Sequence, residues 1–328
     1  MTIQIGVLRK TGLMLASTAF VLAWSSGFLV AKIGTFDASI LTLLVWRFVP
    51  LALALLVISW ARGDLRSVSF ADLRRQSAIG LLGQLGYCVS VYAAIVMGVA
   101  SGTTALIDAV QPILVATLVG PILGLHVRWS QWLGLLIGAA GVLLVVGSQS
   151  AMVVSGVTAY VFPVLAMVCL IVGTFIDRRA PSRLPVLTTL TVQVSVTAFA
   201  LILVAVSTNT FVPPAAAEFW AVVSFAALIP TVVGYGLYWW LLRRVGVTTL
   251  NALLFLVAPA TAVAGTLMFA EPFTLATGAG FAACAAGVSL VLVSEARSQP
   301  AAARANASAT PITAAGEPAR AGARGPLA

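Results

Sequence analysis

The stretch Tyr92-Ala-Ala, then Gly98-Val-Ala-Ser-Gly-Thr-Thr-Ala-Leu, then Pro112 has an echo further along the chain. The echo reads Tyr238-Trp-Trp, Gly246-Val-Thr-Thr-Leu-Asn-Ala-Leu, then Pro259. One inserted residue aligns the two copies, and Thr104 then stands eight residues before its proline, as Asn251 does. Each copy lies in its own half of the chain, divided at 150–155, and each half holds five apolar runs. Five is odd, so the halves must enter a membrane from opposite sides. An inverted repeat of this kind is the design of many secondary transporters, whose site lies near the midplane between the halves. The plainer alternative is a duplicated structural bundle.

Composition supports the membrane reading. Of 328 residues, 61% are hydrophobic and 8% charged, and the mean hydropathy is +1.09. A soluble domain is about half apolar and about a quarter charged, so this chain has too little charge to coat a surface in water. The expected fold class is an all-α polytopic membrane protein with ten transmembrane helices arranged as two five-helix inverted repeats. A span needs about 20 apolar residues. The candidate runs are 12–31, 38–60, 77–97, 101–123, 131–149, 156–176, 185–206, 219–242, 248–270 and 274–294. The expected units are a first repeat over 1–149, a second over 156–294, and a disordered cytoplasmic tail over 295–328. That tail is rich in Ala, Pro, Gly and Ser and cannot bury a core. The first run follows Arg9 and Lys10 as a signal peptide would, but it is longer than a signal's apolar region of about 7–15 residues. It is read as a retained helix.

The net charge of +9 does not call for nucleic acid, because the basic residues punctuate the apolar runs and act as topology signals. With the N-terminus in the cytoplasm, 16 of the 18 basic residues fall on the cytoplasmic side. Only Lys32 falls opposite, and Arg47 lies inside a span. Both termini are therefore expected inside. Sixteen Arg against two Lys, with abundant Ala, suggests a GC-rich bacterial genome and hence a bacterial inner membrane. The partners expected are the lipid bilayer and a small-molecule substrate; the reading also allows a homodimer. Three Cys without a CxxC pair and a single His call for no metal and no cofactor.

An ionisable residue inside a span is expensive and functional by default. Two sit deep: Arg47 and Asp108. Arg47 is nine residues from the outer end of its run, ~13 Å at 1.5 Å per residue. The two are candidates to pair with each other. Alternatively, Arg47 holds helix ends, and Asp108 stays protonated and serves proton coupling. Ser101, Thr104, Asp108 and Gln111 share one helix face, and Thr248 with Asn251 makes a shorter counterpart. Pro112 and Pro259 follow these stripes and each frees a carbonyl one turn back. Among the aromatics, Trp24, Tyr87 and Tyr235 lie deep enough to line a cavity. Tyr238, Trp239 and Trp240 lie near a span end and read as interfacial belt residues.

Further motifs carry a resemblance. They are Leu22-Ala-Trp24-Ser-Ser-Gly27-Phe28, Arg47-Phe48, Ala105-Leu-Ile-(x4)-Pro112-Ile, Gln131-Trp-Leu-Gly134-(x6)-Gly141-Val-Leu-Leu and Ala270-Glu271-Pro272. In this order the chain resembles the drug/metabolite transporter superfamily, in its EamA-type ten-helix form, over about residues 12–294. Where that family often has Gly-Glu after the fourth helix, this chain reads Gly124-Leu125-His126. Glu271 keeps the equivalent acid in the second half. The resemblance implies a secondary transporter of small organic metabolites, amino-acid-like solutes or drugs, working as an exporter by proton coupling or solute exchange. The substrate- or proton-binding candidates are Asp108, Arg47, Gln111, Thr104, Asn251, Trp24, Tyr87 and Tyr235, with no catalytic residue. The rival readings are an intramembrane enzyme and a membrane receptor. A serine protease would need its His at membrane depth, whereas His126 is in a loop. A two-aspartate enzyme would need a carboxylate partner for Asp108 inside a span. The receptor would not need the inverted repeat.

Overall fold

A computed structural model describes residues 2–33, 38–99, 104, 107–149, 157–269 and 274–308. Among these there is no strand. The principal helices are α1 (Thr2–Ile33), α2 (Ile40–Ala61), α3 (Phe70–Val96), α4 (Gln111–Leu123) and α5 (Trp129–Gln149). In the second half they are α6 (Val161–Arg179), α7 (Val186–Ser207), α8 (Ala217–Val245), α9 (Val247–Met268) and α10 (Leu275–Ser308). Eight are long and apolar enough to cross a membrane, and α4 and α5 add two shorter apolar helices. Leu15, Leu22, Leu53, Phe199 and Leu203 are exposed on the outside, as expected of a surface facing lipid rather than water.

The packing shows the two-fold relation of the halves. α1 packs on α8 as α6 packs on α3, while α2 meets α7 and α5 meets α10. These are the pairings an inverted five-helix repeat requires. The α5–α10 contact depends on glycine: a methyl on Gly134 would stand 2.7 Å from the Gly287 carbonyl oxygen, and one on Gly287 only 2.5 Å from that of Gly134. Small residues let membrane helices approach until their backbones touch, where dispersion rather than water exclusion drives association.

The repeated Gly of the opening motif is the link between the third and fourth helices of each half. Gly98 has φ +87° and Gly246 φ +83°, a left-handed region that only glycine enters without strain. After α3 the Val99 amide donates to the Ala94 carbonyl at 2.9 Å, which closes the helix end in a Schellman pattern.

Three boundaries differ from the sequence reading. α3 begins at Phe70 rather than 77, because Ser69 caps it: its Oγ accepts from the Asp72 amide at 3.1 Å and donates to the Asp72 carboxylate at 2.6 Å. Arg74 and Arg75 hide that turn from a hydropathy reading. The run expected over 101–123 lies partly outside the described residues, and its described portion turns at 109–110 before α4 begins. The backbone expected to be irregular from 295 is helical to Ser308. Six of these fourteen residues are Ala, the best helix former. Residues 309–328 and Glu271 lie outside the described residues.

Candidate functional site

The third helix of each half carries a π segment, Gly80–Gly86 in α3 and Ala227–Tyr235 in α8. π turns are rare and cluster at functional sites. In α8 the cause is local. Pro230 has no N–H to give the Ala226 carbonyl, and the Thr231 hydroxyl takes that bond instead at 2.8 Å. In α3 the freed carbonyls find partners on the other half: the Gly80 oxygen accepts from Thr197 at 3.2 Å and the Gly83 oxygen from the Tyr235 hydroxyl at 3.0 Å. Each segment delivers a tyrosine, Tyr87 and Tyr235, to the space between the halves.

That space is a narrow cavity lined by α1, α2, α3 and α8, including Trp24, Arg47, Tyr87, Tyr92 and Tyr235. About 30 Å³ of it admits the centre of a water-sized molecule, little more than an ordered water needs. The space left between the halves here is too small for an organic solute. Trp24 is the hub of the wall. Its ring centroid is 5.0 Å from Tyr235 and 5.6 Å from Tyr87, and it stacks on Tyr238 at 5.3 Å. Aromatic pairs at such separations each contribute about 0.5–1.5 kcal/mol beyond simple burial.

Arg47 is buried. Its Nε donates to the Thr231 hydroxyl at 2.9 Å and an Nη to the Tyr92 hydroxyl at 3.2 Å. It does not pair with Asp108. The Asp108 carboxyl instead accepts from the Tyr87 hydroxyl at 3.1 Å, and that hydroxyl accepts from the Trp24 indole N–H at 3.2 Å. The other oxygen, Oδ1, is buried without a hydrogen-bond partner. The ion pair weighed from the sequence fails because helix interruptions send the two residues to different partners, and spacing along the chain does not report that.

Four of the eight sequence candidates, Trp24, Arg47, Tyr87 and Tyr235, therefore line one cavity, and Asp108 adjoins it through Tyr87. Gln111 and Asn251 meet elsewhere: the Gln111 side-chain amide donates to the Asn251 side-chain oxygen at 2.9 Å, which ties the two polar stripes across the repeat interface. Thr104 is buried. The interruption expected near the prolines is visible in both halves. The chain turns at 109–110 before Pro112, and a 3-10 turn, Leu254–Leu256, precedes Pro259.

Two belt assignments need correction. Tyr238 and Trp239 are fully buried, and the Tyr238 hydroxyl is 2.6 Å from that of Thr174. α8 runs at least to Val245, so both side chains lie a turn or two inside its end. Trp240 is partly buried and takes the Arg244 guanidinium over its ring at 5.0 Å.

The sequence reading also passed over several residues. Thr231 could have been found from the Pro230-Thr231 pair. Tyr92 could have been found from its place in the repeated motif. Asp177 is buried near Arg243, Arg178, Arg75 and Gln76; it escaped notice because it sits beside the charged end of its run. Among the described residues there is no cluster of three or more His, Cys, Asp or Glu that could hold a metal ion.

The comparisons with known proteins are consistent with this architecture. A family model described as the EamA-like transporter family matches the chain twice, over 10–147 and 157–293. Among solved structures, one described only as "Crystal structure of protein" superposes with a TM-score of 0.72 at 18% identity, over 88% of this chain and 98% of that one. At that identity the likeness shows the fold alone. No curated protein sequence matches the chain.

Proposed function

The chain belongs to the EamA-like transporter family, a multi-pass membrane protein of a family that moves small solutes, and from that premise we propose that it is a secondary exporter of small organic metabolites working by alternating access. The observation that carries the proposal is the narrow cavity between the repeats, with one guanidinium and several aromatic faces on its wall. Arg47 has hydroxyl partners and, among the described residues, no carboxylate partner, so it can take an anionic group of the solute. The rings of Trp24, Tyr87 and Tyr235 offer flat apolar faces for the remainder. An amino-acid-like solute has both features. Substrate entry requires the halves to part.

Tyr87 connects this wall to Asp108. A proton held on the Asp108 carboxyl is one hydrogen bond from the cavity, which supports proton coupling as the drive, with solute exchange as the alternative. The reading sets the protein in a bacterial inner membrane with both termini cytoplasmic, an orientation that the distribution of basic residues supports. The test compares metabolite pools of a deletion and an overexpressing strain, then measures uptake of the enriched compound into liposomes containing only this protein. A compound that accumulates in the deletion strain and moves in liposomes, but not with Arg47→Gln, is the expected result. Liposomes that move none of the compounds whose pools change would refute the proposal.

A further inference from the structure

Away from the cavity, a groove of about 530 Å³ opens between α1, α7 and α8. Leu13, Val186, Leu237 and Trp240 give it apolar walls, Gly12 lines it without a side chain, and Arg244 stands at its edge. Gly12 is at the start of the apolar part of α1, Thr11–Ala31. Val186 opens α7, and Arg244 is in the last turn of α8. Three span ends therefore meet at one membrane face, at headgroup level.

Arg244 is exposed. Its guanidinium lies 5.0 Å over the Trp240 ring, and among the described residues it has no carboxylate partner. The stack holds the planar fork in place with its donors free. A fork of this kind fits a phosphate with two parallel hydrogen bonds. Below it the walls are apolar, as an acyl chain requires. Cation at the interface and hydrocarbon beneath it is the charge pattern that complements an anionic lipid.

We propose that this groove binds one anionic phospholipid, with its phosphate on Arg244 and a chain along Leu13, Val186 and Leu237. The lipid wedges α1 against α7 and α8. The proposal is independent of the transported solute.

The test uses the purified, delipidated full chain with phosphatidylglycerol or phosphatidylcholine of the same acyl chains. Native mass spectrometry reads lipid retention and a melting curve reads stabilisation. The wild type should retain one phosphatidylglycerol about fivefold over phosphatidylcholine, the preference one interfacial basic residue provides. Arg244→Gln should bring the two lipids to equal retention, and Arg244→Lys should keep most of the preference. A methyl on Gly12 would meet nothing within 4 Å, so Gly12→Leu can extend into the groove and should lower retention of both lipids. Soluble glycerol phosphate should leave the melting curve unchanged. An unaltered preference in Arg244→Gln, unaltered retention in Gly12→Leu, or stabilisation by glycerol phosphate equal to that by the lipid would each overturn the proposal.

Discussion

Replacing Tyr87 by Phe removes one oxygen and tests how the deep polar residues are wired. That oxygen accepts from the Trp24 indole at 3.2 Å and donates to Asp108 at 3.1 Å. Without it the indole N–H loses its partner. Asp108, whose other oxygen is already unpartnered, loses its only hydrogen bond. Leaving a buried polar group unsatisfied costs about 1–3 kcal/mol. Both bonds are on the long side, so the two losses together should come to roughly 2–4 kcal/mol. The decisive measurement is a double-mutant cycle on unfolding in mixed micelles. Tyr87→Phe and Asp108→Ala share a bond and should be non-additive, with a coupling of about 0.5–3 kcal/mol. Arg47→Gln and Asp108→Ala share no partner and should add to within about 0.5 kcal/mol. If the Arg47–Asp108 coupling is the larger of the two, the ion pair suggested by the sequence exists and the hydrogen-bond pattern described above is wrong.

Two further predictions concern the scaffold. Gly287→Ala should destabilise by about 1–3 kcal/mol as an overpacked contact, because its methyl would stand 2.5 Å from a carbonyl oxygen, while Gly12→Ala, with nothing within 4 Å, should be neutral or better; thermal unfolding of both, with no penalty for the former, would disprove the close α5–α10 approach. Reporter fusions ending near residue 35, 152 or 211 should be periplasmic and those near 68, 180 or 300 cytoplasmic. A cytoplasmic signal at 152 would break the five-plus-five arrangement.

The fold was largely legible in the sequence because a bilayer imposes a one-dimensional rule. Each crossing must satisfy its own backbone hydrogen bonds, so spans appear as apolar runs of fixed length. An odd number of runs per repeat fixes the inversion by parity. The interruptions before Pro112 and Pro259 were readable because a missing N–H is a property of a single residue. Trp24, Arg47, Tyr87 and Tyr235 were found as large or charged groups at membrane depth. Their partners were not legible. Arg47 met Thr231 and Tyr92 instead of Asp108, Gln111 met Asn251, and Tyr238 turned inward instead of joining an interfacial belt. Those outcomes depend on how each helix is rotated about its axis and on the π segments, which shift every later side chain around the helix. Rotation is decided by packing between helices distant in sequence, where glycine pairs such as Gly134 and Gly287 set the closest approach, so only the tertiary structure could assign the partners.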